Sequence, residues 1–211
     1  MKIARSVRRR ERTHGHTMAV RKRFSRYKTE DPKPIRKKDQ KIDRVLEQLK
    51  EAWAKYKHDK DEGVGSGCSK VLLLTWRIKY SSRDVEKFSL ALVEFQDEED
   101  FRYKAGIFLS SLINNGKDGD YVIHTRYLDK KIHWLGFMNR KNIVIEGDAG
   151  HFLGACMEGG TIVLNGNCGE DLGHFMAGGS IILNGAFAQP GQIFGGAIYF
   201  SGKIIAGRED T

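Results

Sequence analysis

Between Met138 and Gly202 the chain returns to one pattern at a spacing of nineteen residues, and few folds accommodate that. The copies run MNRKNIVIEG from Met138, MEGGTIVLNG from Met157, MAGGSIILNG from Met176 and IFGGAIYFSG from Ile193. Met138, Met157 and Met176 are 19 residues apart, as are Gly147, Gly166 and Gly185, and the step from Gly185 to Gly202 shortens to 17. A unit this short cannot bury its own apolar face and must stack on its neighbours.

The contents of each copy decide what stacks. Ile143-Val144-Ile145, Ile162-Val163-Leu164, Ile181-Ile182-Leu183 and Ile198-Tyr199-Phe200 are aliphatic or β-branched runs too short for helices and bounded by glycine, which predicts strands. Residues one repeat apart would lie above one another at about 4.8 Å, the strand separation of a sheet. Two columns, Ile143/Ile162/Ile181/Ile198 and Ile145/Leu164/Leu183/Phe200, should point into the coil. Between them Val144, Val163, Ile182 and Tyr199 form an outward column that is also apolar, so another element or a partner should cover it. The glycines fit the corners. The expected class is mainly β, a short parallel β-helix.

The runs GHFLGACMEGG and GEDLGHFMAGG place Gly150, Gly154, Met157, Gly159 and Gly160, then Gly169, Gly173, Met176, Gly178 and Gly179, at matching positions. This Gly-x3-Gly-x2-Met pattern with a following glycine pair resembles the glycine-patterned (GXGXG) C-terminal domain of the glutamate synthase large subunit, a domain similar to one found in formylmethanofuran dehydrogenase. The resemblance covers about residues 136 to 202 and implies a right-handed β-helix. It does not imply glutamate synthesis, because in that family the glutaminase, flavin and iron–sulfur chemistry lies in other domains or subunits. The outer copies depart from the pattern, as terminal repeats do. Met138-Asn139-Arg140 lacks the glycine pair, and Ile193-Phe194 stands where methionine would be.

Charge is distributed unevenly. Of 36 Lys+Arg and 27 Asp+Glu, residues 1 to 40 hold 15 and 4, so this arm carries +11 of a net +9 and the remainder is −2. The clusters Arg8-Arg9-Arg10, Arg21-Lys22-Arg23 and Arg36-Lys37-Lys38, with Pro32 and Pro34, predict a basic disordered arm over residues 1–38. Such an arm is a solvated tail, or residues translated upstream of a start at Met18, or a nucleic-acid contact. In the last case Arg8, Arg9, Arg10, Arg21, Lys22 and Arg23 would meet phosphates and Phe24 and Tyr27 would stack on bases. His14 and His16 supply two ligands, too few for a firm metal site.

No apolar run reaches the roughly 18 residues of a membrane span, and the amino end lacks the apolar segment of a secretory signal. Cys68, Cys156 and Cys168 are odd in number and lack C-x2-C spacing, which fits reduced thiols. A cytoplasmic protein with no membrane contact is expected.

Ahead of the repeats, Ile42, Val45, Leu46, Leu49, Trp53 and Tyr56 fall at helical spacing and predict an amphipathic helix over residues 39–60, docked on the chain's own body. Gly63, Gly65 and Gly67 suggest a flexible linker over 61–69. Residues 70–118 read as a ββα capping unit. Leu74, Trp76, Ile78 and Tyr80 alternate with polar residues as one strand, Lys87 to Phe95 would be its antiparallel partner, and a helix follows the acidic run Asp97-Glu98-Glu99-Asp100. This helix, with Phe101, Ala105, Phe108, Leu109 and Leu112 as its buried stripe, should cover the first coil's open edge or the Val144 column. Two further strands, about Tyr121 to Thr125 and Ile132 to Leu135, lead into a β-helix domain over 119–211. After Gly202 nine residues remain, too few for much of a cap, so the carboxyl end is a candidate subunit contact.

Nothing in this pattern commits the chain to catalysis. The glycine pairs lack the Lys-Ser/Thr and helix of a phosphate loop, and Gly147, Gly150 and Gly154 lack the helix of a dinucleotide site. His124, His133, His151 and His174 are never nineteen apart, which argues against a stacked metal site. Cys156 shares a repeat position with Phe137 and Phe175, a packing role. Asp148 stacks on Asn167 and Glu146 on Asn165 and Asn184, so each column holds one acid, where general acid/base work needs two. Asn165 and Asn184 should form an amide ladder. No catalytic residue, cofactor or metal is assigned. The leading expectation is a non-catalytic structural or interaction protein, bound to a partner or to another copy through the outer apolar face or the carboxyl end. The alternatives are an accessory subunit of an oxidoreductase or amidotransferase, which the resemblance implies, and a nucleic-acid-associated protein using the basic arm.

Overall fold

The aliphatic runs form the parallel strands that their spacing predicts. A computed structural model describes residues 43–59, 61 and 63–207. Its sheet has six strands in chain order: β1 Asp120–His124, β2 Asn142–Glu146, β3 Thr161–Asn165, β4 Ser180–Leu183, β5 Ala197–Phe200 and β6 Lys203–Gly207. The first five are parallel and in register, with Ile143 beside Ile162, Ile181 and Ile198 in turn, and Ile145 beside Leu164, Leu183 and Phe200. Tyr121 and Ile123 of β1 add a rung below. The result is a β-solenoid of about four turns. Both inner columns are buried except at Phe200, which is 36% exposed because no further coil covers it.

The first coil differs from the sequence reading in two ways. Ile132–Leu135 is not a strand but part of a turn. It still bonds the next coil, accepting the Gly150 N–H at Ile132 (2.7 Å) and the Gly154 N–H at Leu135 (2.9 Å). Nor is Met138 the counterpart of the buried Met157. The turns of the first two coils match at a spacing of eighteen, so Gly136 underlies Gly154 and Asn139 takes the buried methionine place, while Met138 is 43% exposed. Asn139 satisfies its amide locally, bonding the N–H and carbonyl of Lys141 at 3.1 and 2.7 Å. Each turn uses left-handed backbone at alternate residues: Trp134, Gly136 and Met138, then Phe152, Gly154 and Cys156, then Asp171, Gly173 and Phe175. The middle position must be glycine, since a Cβ on Gly154 would lie 2.6 Å from the Ile181 Cδ1.

Among the described residues four helices precede the solenoid: α1 Arg44–Lys55, α2 Val64–Thr75, α3 Ser82–Ala91 and α4 Phe101–Asn115, with a 3-10 turn over Leu92–Phe95. The ββα expectation is therefore corrected to helices throughout. α1 starts at Asp43, whose carboxylate accepts the Leu46 N–H, and it docks Leu49, Ala52 and Trp53 on the body as expected. The residues expected to be a linker enter α2 instead. Gly67 is there for contact, because a Cβ would meet the Tyr56 hydroxyl at 2.7 Å and Ile107 of α4 at 3.2 Å. Ser81 and Asp84 close a capping box that starts α3.

α4 stands where a coil before the first would lie. Its Ser110 hydroxyl donates to the Trp134 carbonyl (3.0 Å) and accepts the Gly136 N–H (2.9 Å), and its Asn114 amide donates to Phe137 (2.9 Å). The expected cover over the first coil's open edge is thus in place. Sandwiched between helices and solenoid, α4 buries polar Lys104, Ser110 and Ser111 along with its apolar stripe. Asp100, at its N-cap, makes no side-chain capping bond. Glu98 instead accepts from Trp53 (2.9 Å) and Lys104 (2.7 Å).

At the other end the chain folds back. Ser201 and Gly202 both have positive φ, 50° and 72°, the geometry of a two-residue hairpin turn, and β6 returns antiparallel to β5. The residues after Gly202 therefore do form a partial cap, contrary to expectation.

Candidate interaction surface

The outward face of the sheet has an apolar centre between two polar margins. Val122, Val144, Val163 and Tyr199 are half-buried and Ile182 is 36% exposed. One margin is a ladder of side chains. The Asn184 amide donates to Asn165 and the Asn165 amide to Glu146, each at 2.8 Å, so the expected ladder extends one rung further to a carboxylate. Around the corner Asn167 bonds Asp148 and accepts the Ala186 N–H, each at 2.8 Å. These bonds fix the outer face without closing it. Among the described residues α3 covers its β1 end, where a groove of about 300 Å³ runs between Glu86 and the Val122–Val144 pair.

Three solenoid carboxylates near this face have a cation beside them. Glu146 faces Arg126 at 3.3 Å, Asp148 faces Lys131 at 3.1 Å, and Glu158 holds Arg140. For Asp148, burial raises the pKa, but the Asn167 N–H and Lys131 outweigh it and the net shift is downward. Paired with cations and on separate rungs, these groups do not place a proton donor opposite a base.

The histidines need correction. His133 and His151 do share a column, rings 4.9 Å apart and nearly stacked, because the first step of the turns is eighteen residues. The His133 Nδ1 accepts the His151 N–H at 2.9 Å, and the His151 Nδ1 accepts the Glu170 N–H at 3.1 Å. Both rings thus brace turns. Among the described residues no three or more His, Cys, Asp or Glu gather to hold a metal. Burial pushes the thiols of Cys68 and Cys156 up and that of Cys168 up to about 11, so all three are protonated at neutral pH.

The repeat residues are placed as structural parts. Met157 and Met176 are fully buried. Gly160, Gly166, Gly179 and Gly185 back onto carbonyls of the preceding coil, as does Gly178, and Gly147 backs onto the Arg126 backbone. Gly150 and Gly169 lie against the His133 and His151 rings, and Gly173, like Gly154, against a core isoleucine. Gly159 and Gly202 have open space around them. Arg8, Arg9, Arg10, Arg21, Lys22 and Arg23 lie outside the described residues.

Sequence reading missed a second surface, on α2, where Leu72, Leu73 and Trp76 are 40%, 72% and 65% exposed. Beside it a groove of about 600 Å³ runs between α2, the end of α4 and the first coil's turn. The spacing of Ser69, Leu72, Leu73 and Trp76 at i, i+3, i+4 and i+7 was the available signal.

No protein-family model, curated protein or solved structure matches the chain. No described helix is long and apolar enough to cross a membrane.

Proposed function

We propose that this chain is a non-catalytic scaffold, a β-solenoid of the glutamate-synthase C-terminal kind that binds a protein partner through the outer face of its sheet and its carboxyl end. The observation that carries this reading is the outward column Val144, Val163 and Ile182, apolar and only half-buried at its first two members, with Ile182 36% exposed. An apolar strip edged on one side by an amide ladder suits contact with another protein. It offers no acid/base pair, activated nucleophile or metal cluster for chemistry. The test is co-purification from native extract of the full chain and of a Val163→Lys/Ile182→Lys double variant. Both sites point outward, so the variant should melt within a few degrees of wild type and lose the partner. Recovery of the wild-type chain alone and monomeric would overturn the reading.

A second reading, an accessory subunit of an oxidoreductase or amidotransferase complex, draws support from the Gly150-x3-Gly154-x2-Met157 pattern and its recurrence at Gly169, Gly173 and Met176. Flavin or iron–sulfur absorbance in the co-purified complex, belonging to the partner, is its expected signature. A colourless complex would count against it.

A further inference from the structure

α2 has two faces, and the fold uses one. Gly67, Val71 and Thr75 are buried on the body side. The opposite side carries Leu72, Leu73 and Trp76 into solvent, the last two exposed by 72% and 65%. Leu72 is also a wall of the 600 Å³ groove, whose far wall is Met138, Arg140 and Lys141. A half-exposed tryptophan, two leucines and a methionine beside a concavity make the kind of patch that marks a protein contact, and tryptophan and arginine dominate the energetics of such contacts.

Cations outnumber carboxylates around this patch. α2 contains no acidic residue, Lys70 lies on its exposed side, and Arg77 follows it with its guanidinium 4.6 Å above the Trp76 ring. Among the described residues lining the groove the one carboxylate is Glu158, and Arg140 holds it. We propose that α2 and this groove dock an acidic amphipathic segment of a partner protein, its apolar side chains on Leu72, Leu73 and Trp76 and its carboxylates toward Arg77, Arg140 and Lys141. The inference rests on the interaction reading above and names the chemistry of the partner. Residues 1–40 of this chain carry +11 and have the wrong sign to fill the site. A second copy brought up by two-fold symmetry would set the same cationic rim against itself.

The test uses the full chain and a fluorescein-labelled helical peptide of about 18 residues with leucine and phenylalanine at i, i+3, i+4 and i+7 and glutamate between. A scramble of the same composition and a version with lysine for glutamate are the controls. The acidic peptide is expected to bind with a Kd of about 1–100 μM that weakens with salt, and both controls at least tenfold more weakly. Trp76→Ala and Leu73→Lys should each weaken binding tenfold or more while melting like wild type. Equal binding of peptide and scramble, no saturation by about 1 mM, or an unchanged Kd in Trp76→Ala would overturn the proposal. So would a wild-type dimer that Trp76→Ala makes monomeric, which would assign the face to a second copy. The Val163→Lys/Ile182→Lys variant should bind the peptide like wild type. If a native partner is lost with that variant and kept by Trp76→Ala, the scaffold reading stands and this inference falls.

Discussion

His133 shows how one buried ring ties the fold to pH. Its Nδ1 accepts the His151 N–H at 2.9 Å, and its ring lies 4.9 Å from those of both His151 and Tyr103. Burial, then the neighbouring His151 and Arg102, push its pKa down to about 4 from 6.5. A protonated Nδ1 cannot accept that bond, so the folded state needs the neutral ring. Because the unfolded chain takes up the proton first, the contribution is whole above pH 6.5 and is lost as pH falls toward 4. The melting temperature should therefore drop by several degrees between pH 7 and pH 4.5, and His133→Asn, whose amide oxygen accepts without titrating, should flatten that drop. An unchanged slope would assign the loss elsewhere. The depressed carboxyls Asp43, Asp118 and Asp148 lose their contribution mainly below their ordinary 3.8, and Glu98, also depressed, adds a smaller loss at the acid end of the window, where its ordinary 4.5 lies. The glycine pairs make a sharper contrast. Gly160 has φ +72° and backs onto the Lys141 carbonyl, whereas Gly159 has open space and an ordinary φ. Gly160→Ala should cost about 2–4 kcal/mol by urea unfolding and Gly159→Ala less than about 0.5. The pair was legible in the sequence as a corner. Which member is obligatory was not, because the deciding carbonyl is nineteen residues away.

The helices show how an element can be misread when two periods coexist. In KFSLALVEF, Phe88, Leu90 and Leu92 alternate as in a strand, but Val85, Phe88, Ser89 and Leu92 also share a helix face; α3 buries the first three together with Ala91, and Leu92 is buried in the 3-10 turn that follows. Leu90 and Val93 are left more than 40% exposed. The Ser81–Asp84 capping box breaks the tie in favour of helix, and it is a local signal present in the sequence. The repeat strands carried no such ambiguity, since glycine bounds them and nineteen-residue copies reinforce one another. Once formed, α3 serves the solenoid as an edge guard. The buried Ser89 hydroxyl accepts the His124 N–H of β1 at 3.0 Å while donating to the Glu86 carbonyl at 2.6 Å. Ser89→Ala leaves that edge N–H without a partner and should cost about 1–3 kcal/mol. Amide hydrogen exchange at His124 should accelerate. Exchange unchanged at His124 would mean that the strand edge does not depend on the helix.

Across the molecule, cap and solenoid are joined by one apolar core that runs without a break from Leu49 of α1 to Ile198 of β5. Trp53 is its anchor at the helical end. It is fully buried, rings of Phe88, Phe95, Phe101 and Phe108 lie 5.4–6.2 Å from it, and the Lys104 ammonium sits 4.3 Å over its face while its N–H donates to Glu98. Truncating it opens a large cavity under α4, and Trp53→Ala should cost about 3–5 kcal/mol. What this does to the distant coils depends on how stability is shared. A solenoid whose rungs contact only their neighbours stands as a sum of local terms, and damage at one end leaves the other protected. Here α4 takes the place of a coil, bonding Trp134, Gly136 and Phe137 through Ser110 and Asn114. Loosening α4 therefore uncovers the first coil's backbone as well as its core. The expected result in Trp53→Ala is faster hydrogen exchange at Ile143 and Ile145 together with α4. Acceleration should reach Ile162 and Leu164 by a similar factor, because among the described residues α4 is the layer that covers the first coil on that side. Acceleration confined to α1 and α4 would show instead that the coils hold themselves, and that the helices are an attachment to the stack and not its first layer.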